Sequence, residues 1–197
     1  MDLDFQTSPQ HRAVVSDILS SVQAWCSASR NIIALHCAHC KFGDDRLWEP
    51  DITVRPVKGK ASSHRPRFVV DASNDGPLQQ ARVDEYFAND PERDTRCVLA
   101  ISVSEDLSCA QAVLFSRDAS GTPVVQFATD FGSQAASPAQ LWNIAGGWTR
   151  HGGSEPLLIT VQPGELVHNM TQRATLPSDP LVINLTAALD FAKMAAV

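Results

Sequence analysis

The sequence predicts a single α/β domain over residues 1–197, with a mixed sheet flanked by helices and a β-rich C-terminal part. Three observations predict it. Apolar residues recur at 3–4 spacing over 8–26, a continuous β-branched run spans 96–104 (RCVLAISVS), and a short apolar strand at 67–72 (RFVVDA) closes on an acid.

In order, residues 8–26 read as a helix. Val14, Val15, Ile18, Leu19, Val22 and Trp25 form its packing stripe, and Ser8 followed by Pro9 supplies an N-cap with proline at the first helical position. Residues 31–42 (NIIALHCAHCKF) read as one strand with a turn at Gly43, Asp44 and Asp45. Residues 51–57 (DITVRPV) give a second strand, a basic loop covers 58–67, and RFVVDA gives a third. A helix is expected over 77–89, packing through Leu78, Ala81, Val83, Tyr86 and Phe87. The 96–104 strand follows, then an antiparallel hairpin of 110–117 and 123–130 about Ser120 and Gly121. Residues 132–156 read as a long loop that packs Trp142 and Trp148. A strand at 157–163 and a helix at 184–196 close the chain.

Hydrophobic residues make up 44% and charged residues 19%, a globular composition. No apolar run reaches the length of a membrane span, and the acidic N-terminus lacks the features of a secretory signal. Five cysteines, an odd number spread unevenly from Cys26 to Cys109, do not read as a secreted disulfide framework. An intracellular protein, cytoplasmic or nuclear, with no membrane partner is therefore expected. A net charge of −6 argues against coating nucleic acid by bulk electrostatics, but leaves room for a local basic patch. Lys58, Lys60, His64, Arg65 and Arg67 form such a patch. Lys58, Lys60, Arg65 and Arg67 are the candidate contacts to a nucleic-acid backbone, and a solvated loop is the plainer reading.

Asp51 opens one strand and Asp71 closes another. Adjacent strands can bring two such acids to one rim of a sheet, where hard oxygen ligands hold a divalent cation. Strand-terminal acids are also common on solvent-facing rims, so the pair alone decides little.

The run EPDI (49–52), the strand FVVDAS (68–73), a helix and the strand CVLAISVS then follow in an order that resembles the PD-(D/E)XK nucleases of restriction-endonuclease-like fold. Within them it is most similar to the bacterial Uma-type endonuclease family and its fungal relatives, whose first helix opens with a sequence like Ser8-Pro9-Gln10-His11. The parallel covers roughly residues 8–104. The resemblance implies a metal-dependent endonuclease in which Asp51 and Asp71 bind Mg²⁺ or Mn²⁺, with the main-chain carbonyl of Ala72 as a further ligand. Asp71 stands where the family usually has Glu, and Arg82, four before Tyr86, where the bacterial family has lysine. Ser73 stands at the motif lysine itself, and after Asp71 the chain's only lysine is Lys193. Ser73 and Arg82 thus complete the expected catalytic group. The missing lysine leaves a competing reading, a non-catalytic relative that binds a protein partner or a second copy of itself.

His36, Cys37, His39 and Cys40 (HCAHC) invite a zinc reading, but no second ligand pair follows at a suitable spacing. Strand alternation would also send Cys37 and His39 to the opposite face from His36 and Cys40. His11 matches the family pattern at the start of the first helix, although a surface or capping role is common for such a residue. Trp48, Trp142 and Trp148 are read as core anchors rather than base-stacking groups.

Overall fold

A computed structural model describes residues 8–42, 46–57, 65–73, 80–88, 90, 93–104, 106–132, 149–151, 155–167 and 176–195. Helix α1 (Pro9–Ser27) starts where the sequence places it. Ser8 is its N-cap and accepts from the His11 N–H at 3.1 Å, with Pro9 in the first turn. Its stripe Val14, Val15, Ile18, Val22 and Trp25 is buried, and the Trp25 indole N–H donates to the Asp179 carbonyl at 2.8 Å.

The main sheet has seven strands in the order β1 (Ile32–His36), β4 (Ile52–Pro56), β5 (Phe68–Ser73), β6 (Cys97–Val103), β7 (Cys109–Arg117), β8 (Pro123–Gly132) and β9 (Thr149–Arg150). β5 and β6 run parallel, as do β8 and β9, and the other neighbours are antiparallel. Every residue of β6 is buried, as expected for a central strand covered on both faces. One face meets α1, the C-terminal helix α3 (Leu185–Ala195) and the hairpin of β10 (Leu158–Val161) with β11 (Leu181–Asn184) around the larger core. The other face meets α2 (Gln80–Phe87), and Val69, Val83, Tyr86, Val98, Val113 and Ala128 build a smaller core there. This is the mixed sheet flanked by helices that the sequence predicts for a restriction-endonuclease-like domain. Among the described residues, no helix is long and apolar enough to cross a membrane.

The single strand expected over 31–42 is two. β1 stops at His36, Cys37 takes a left-handed φ of 44°, and β2 (Cys40–Phe42) leaves the main sheet to pair with β3 (Arg46–Trp48). The bend splits the HCAHC run. Cys40 is buried in the smaller core, where burial pushes its thiol up to about 11, while Cys37 stays exposed. Trp142 and Trp148, together with Lys58, Lys60 and His64, lie outside the described residues. β11 was not expected from sequence; it precedes α3 directly and pairs with β10.

Candidate functional site

Register builds the site. β4 and β5 pair antiparallel with Ile52 opposite Val70, so one step further along the same register Asp51 stands level with Asp71. Both acids therefore sit at one rim of the sheet. Asp51 is anchored through the backbone: its Oδ2 accepts from the Ala72 N–H at 2.7 Å, and its carbonyl accepts from the Cys37 N–H at 2.9 Å. The bend at Cys37 thus helps hold the first acid where β1 ends.

Asp71 points to the α2 side and is 1% exposed. Its Oδ2 lies 2.6 Å from Arg82 Nε and also accepts from the Tyr86 hydroxyl. Arg82 Nε in turn lies 3.0 Å from the Tyr86 oxygen. Arg82 and Tyr86 are four apart on α2, so one helical face presents both to the acid. The other oxygen, Asp71 Oδ1, is buried with no hydrogen-bond partner. Burial pushes Asp71 up to about 7; Arg82 and Tyr86 pull it down, and the Asp51 charge adds to the rise.

From the opposite face, the first turn of α1 brings His11 over the rim. Its Nε2 lies 3.3 Å from Asp51 Oδ1 and 3.3 Å from the Ala72 carbonyl. Burial lowers the pKa of this imidazole, but the Asp51 hydrogen bond and charge outweigh that and leave it raised. The Ser8 cap therefore fixes the turn that carries a site histidine.

The structure thus brings Asp51, Asp71, the Ala72 carbonyl, Arg82 and His11 together. Ser73 is half-buried two residues beyond Asp71 on the same strand. Arg65 and Arg67 are not part of this cluster. They precede β5, at the end of that strand away from Asp71; Arg65 Nη1 lies 3.6 Å from Asp90, and Arg67 donates to the Leu166 carbonyl at 3.4 Å. Tyr86, read from sequence as a packing residue, is a direct partner of the buried acid. Its place four residues after Arg82 was the available signal.

Two carboxylates and a main-chain carbonyl are hard oxygen donors of the kind Mg²⁺ and Mn²⁺ take, and Mg²⁺ commonly uses only one or two carboxylates and keeps water for the rest. The unpartnered Asp71 Oδ1 fits that donor set. Among the described residues, no group of three or more His, Cys, Asp or Glu side chains stands ready as a cage. Any such ion would rest on these two acids, the carbonyl and solvent.

No family model matches the sequence, and no curated protein matches it. Among solved structures, the chain is similar to a protein from Anabaena variabilis ATCC 29413, described as a "putative nuclease belonging to DUF820". The identity is 14%, the match covers 93% of this chain and 82% of that one, and the TM-score is 0.47.

Proposed function

We propose that the chain is a metal-dependent phosphodiesterase of the PD-(D/E)XK type acting on nucleic acid. The observation that carries the reading is the convergence of Asp51, Asp71 and Arg82 on one rim, with a buried Asp71 oxygen left without a partner. Asp51, Asp71 and the Ala72 carbonyl would hold Mg²⁺ or Mn²⁺, which when bound lowers the pKa of a coordinated water and stabilises charge on the phosphate under attack. Arg82 orients Asp71 and presents a permanent positive charge to a phosphate. Always protonated, it cannot take a proton from water. Ser73, at the usual lysine position, cannot do so either at neutral pH. His11 Nε2 faces two acceptors, Asp51 Oδ1 and the Ala72 carbonyl, so it donates there and orients the first acid. Asp71, pushed up to about 7, is the group of the cluster suited to take a proton from water.

A specific observation favours the second reading, a non-catalytic interaction module. Asp71 Oδ2 is already met by Arg82 and Tyr86, and Asp51 by His11 and the Ala72 N–H. The rim is nearly self-satisfied. A Mn²⁺ titration of the melting temperature separates the two readings, because a ligand that binds only the folded chain raises stability with log concentration above its Kd. The nuclease reading expects a rise in wild type that is lost in Asp51→Ala, followed by Mn²⁺-dependent cleavage of DNA or RNA. No rise at millimolar Mn²⁺ in a folded wild type would leave the interaction module.

A further inference from the structure

The same face of the sheet that carries Asp71 holds a second polar group that the chemistry above does not use. Cross-strand register aligns Asp71, Ala100, Val113 and Ala128 in one row over β5 to β8. Two residues nearer the rim, a second row aligns Ser73, Ser102, Gln111 and Asp130. Alternation places this second row on the α2 face too, since Val69, Val98, Val113 and Ala128 of the smaller core lie at even spacing from its members. A hydrophobic sheet face therefore gives way to a polar band beside the acids.

Two members of the band, Gln111 and Asp130, are buried with side-chain atoms that have no partner. Gln111 is 1% exposed, and neither its amide nitrogen nor its amide oxygen has a partner; Asp130 is 3% exposed, and its Oδ1 has none. Burying an amide or carboxylate oxygen without a hydrogen bond opposes folding, and native interiors seldom carry such groups without a use. Three unpartnered atoms, one donor and two acceptors, sit on adjacent strands at one register level. Neighbouring strands lie about 4.8 Å apart, so Gln111 is roughly 10 Å across the sheet from Ser73. That is within reach of a base on a nucleotide whose phosphate lies at the acids.

We propose that Gln111 and Asp130 form a nucleobase subsite that favours adenine or cytosine over thymine or uracil through the exocyclic amino group, beside the candidate cleavage site. This inference rests on the nuclease reading. The exocyclic amino group of either base offers two N–H donors, one to Gln111 Oε1 and one to Asp130 Oδ1. The adjacent ring nitrogen accepts from Gln111 Nε2. A glutamine amide paired with adenine in this two-bond manner is an established mode of base readout. Thymine and uracil carry a carbonyl in place of the amino group; the Gln111 amide can turn over to meet it, but Asp130 Oδ1 then faces an oxygen, so the discrimination lies with Asp130. The burial of Gln111 and Asp130 favours an unpaired base, which can be turned out of its stack, over a paired one.

The test uses the full chain and fluorescein-labelled single strands dA6, dC6 and dT6, read by anisotropy in excess Ca²⁺. Wild type is expected to bind dA6 and dC6 about tenfold more tightly than dT6, the scale of one good bidentate contact. Asp130→Asn, whose amide can donate or accept, should erase the preference, while Gln111→Leu should weaken binding of all three strands. Gln111→Leu should also keep or raise the melting temperature, because it removes an unpaired buried amide; loss of a purely structural glutamine would lower it. Equal binding of all three strands by wild type, or a preference that survives in Asp130→Asn, would overturn the subsite and leave the nuclease reading standing. Binding of none would overturn the subsite, and the Mn²⁺ titration above then decides the nuclease reading separately.

Discussion

Asp71 and Asp90 are both buried aspartates that meet an arginine, and they lie at opposite ends of the strands. Asp90, beyond α2, has both oxygens filled. Oδ1 accepts from the Asp94 N–H at 3.1 Å with Arg65 3.6 Å away, while Oδ2 accepts from the Thr95 N–H at 3.0 Å and from Arg117 Nη2 at 3.1 Å. Arg117 is itself tied to the carbonyls of Phe87, Thr95 and Gly121 and lies 5.1 Å over the Phe87 ring. This acid locks the end of α2 to the start of β6 and the end of β7. Asp71 has an arginine as well, yet one of its oxygens is left over and its pKa is pushed up to about 7. Similar chemistry thus serves two ends. A fully met buried carboxylate holds structure together, whereas Asp71 keeps one oxygen without a protein partner.

Substitution at the two positions breaks the comparison most sharply. Asp90→Ala removes the partner of a buried Arg117, a change that costs about 3–5 kcal/mol. In a domain of this size the melting temperature should fall by roughly 10 °C. Asp71→Asn keeps the shape and removes a carboxylate whose charge burial already opposes, so it should cost less stability than Asp90→Ala. On the nuclease proposal, Mn²⁺-dependent cleavage then falls by at least about a hundredfold. Equal melting losses in the two variants would show that both acids are structural.

Acid–base linkage sharpens the contrast. Between 3.8 and about 7 the folded chain holds a proton on Asp71 that the unfolded chain has lost. Its contribution to stability therefore declines as pH rises through that window and is fully unfavourable above it. His11, with its pKa raised above 6.5, acts in the same sense, its stabilisation being lost as pH rises through the folded value. Denaturant melts in EDTA from pH 4 to 8 should show wild type losing stability relative to Asp71→Asn as pH rises. A flat difference would remove the raised pKa from the account.

The smallest effect concerns the helix that delivers His11. Ser8→Ala deletes the cap on the His11 N–H and should cost about 1 kcal/mol, or about 2–4 °C. Fraying of that turn should also weaken Mn²⁺ stabilisation, which a change in some other helix cap would leave alone.

The sequence carried the frame of the fold because helix α1, strand β6 and the β7–β8 hairpin each have a periodicity that one structure satisfies. It pointed to Asp51, Asp71, Ala72 and Arg82 because short acid-ended strands in a family-like order imply a shared rim, and the structure gathers these residues there. Other parts were hidden for physical reasons. The break at Cys37 depends on a left-handed residue that is not glycine, which no local pattern announces. Arg65 and Arg67 look like backbone-binding residues in sequence, but their reach is fixed by which end of β5 they enter. Gln111 reads as the polar partner in an ordinary alternating strand. Only cross-strand register sets it beside Asp130 in a buried row.

The Ser8–Pro9–His11 turn has a practical consequence for anyone trimming the gene. A fragment that begins at residue 12 would retain every strand of the main sheet and most of α1, and would pass as well folded by circular dichroism. It would nonetheless have discarded the helix cap and the site imidazole in one cut, so low activity in such a fragment would report the choice of boundary rather than the chemistry of the acids.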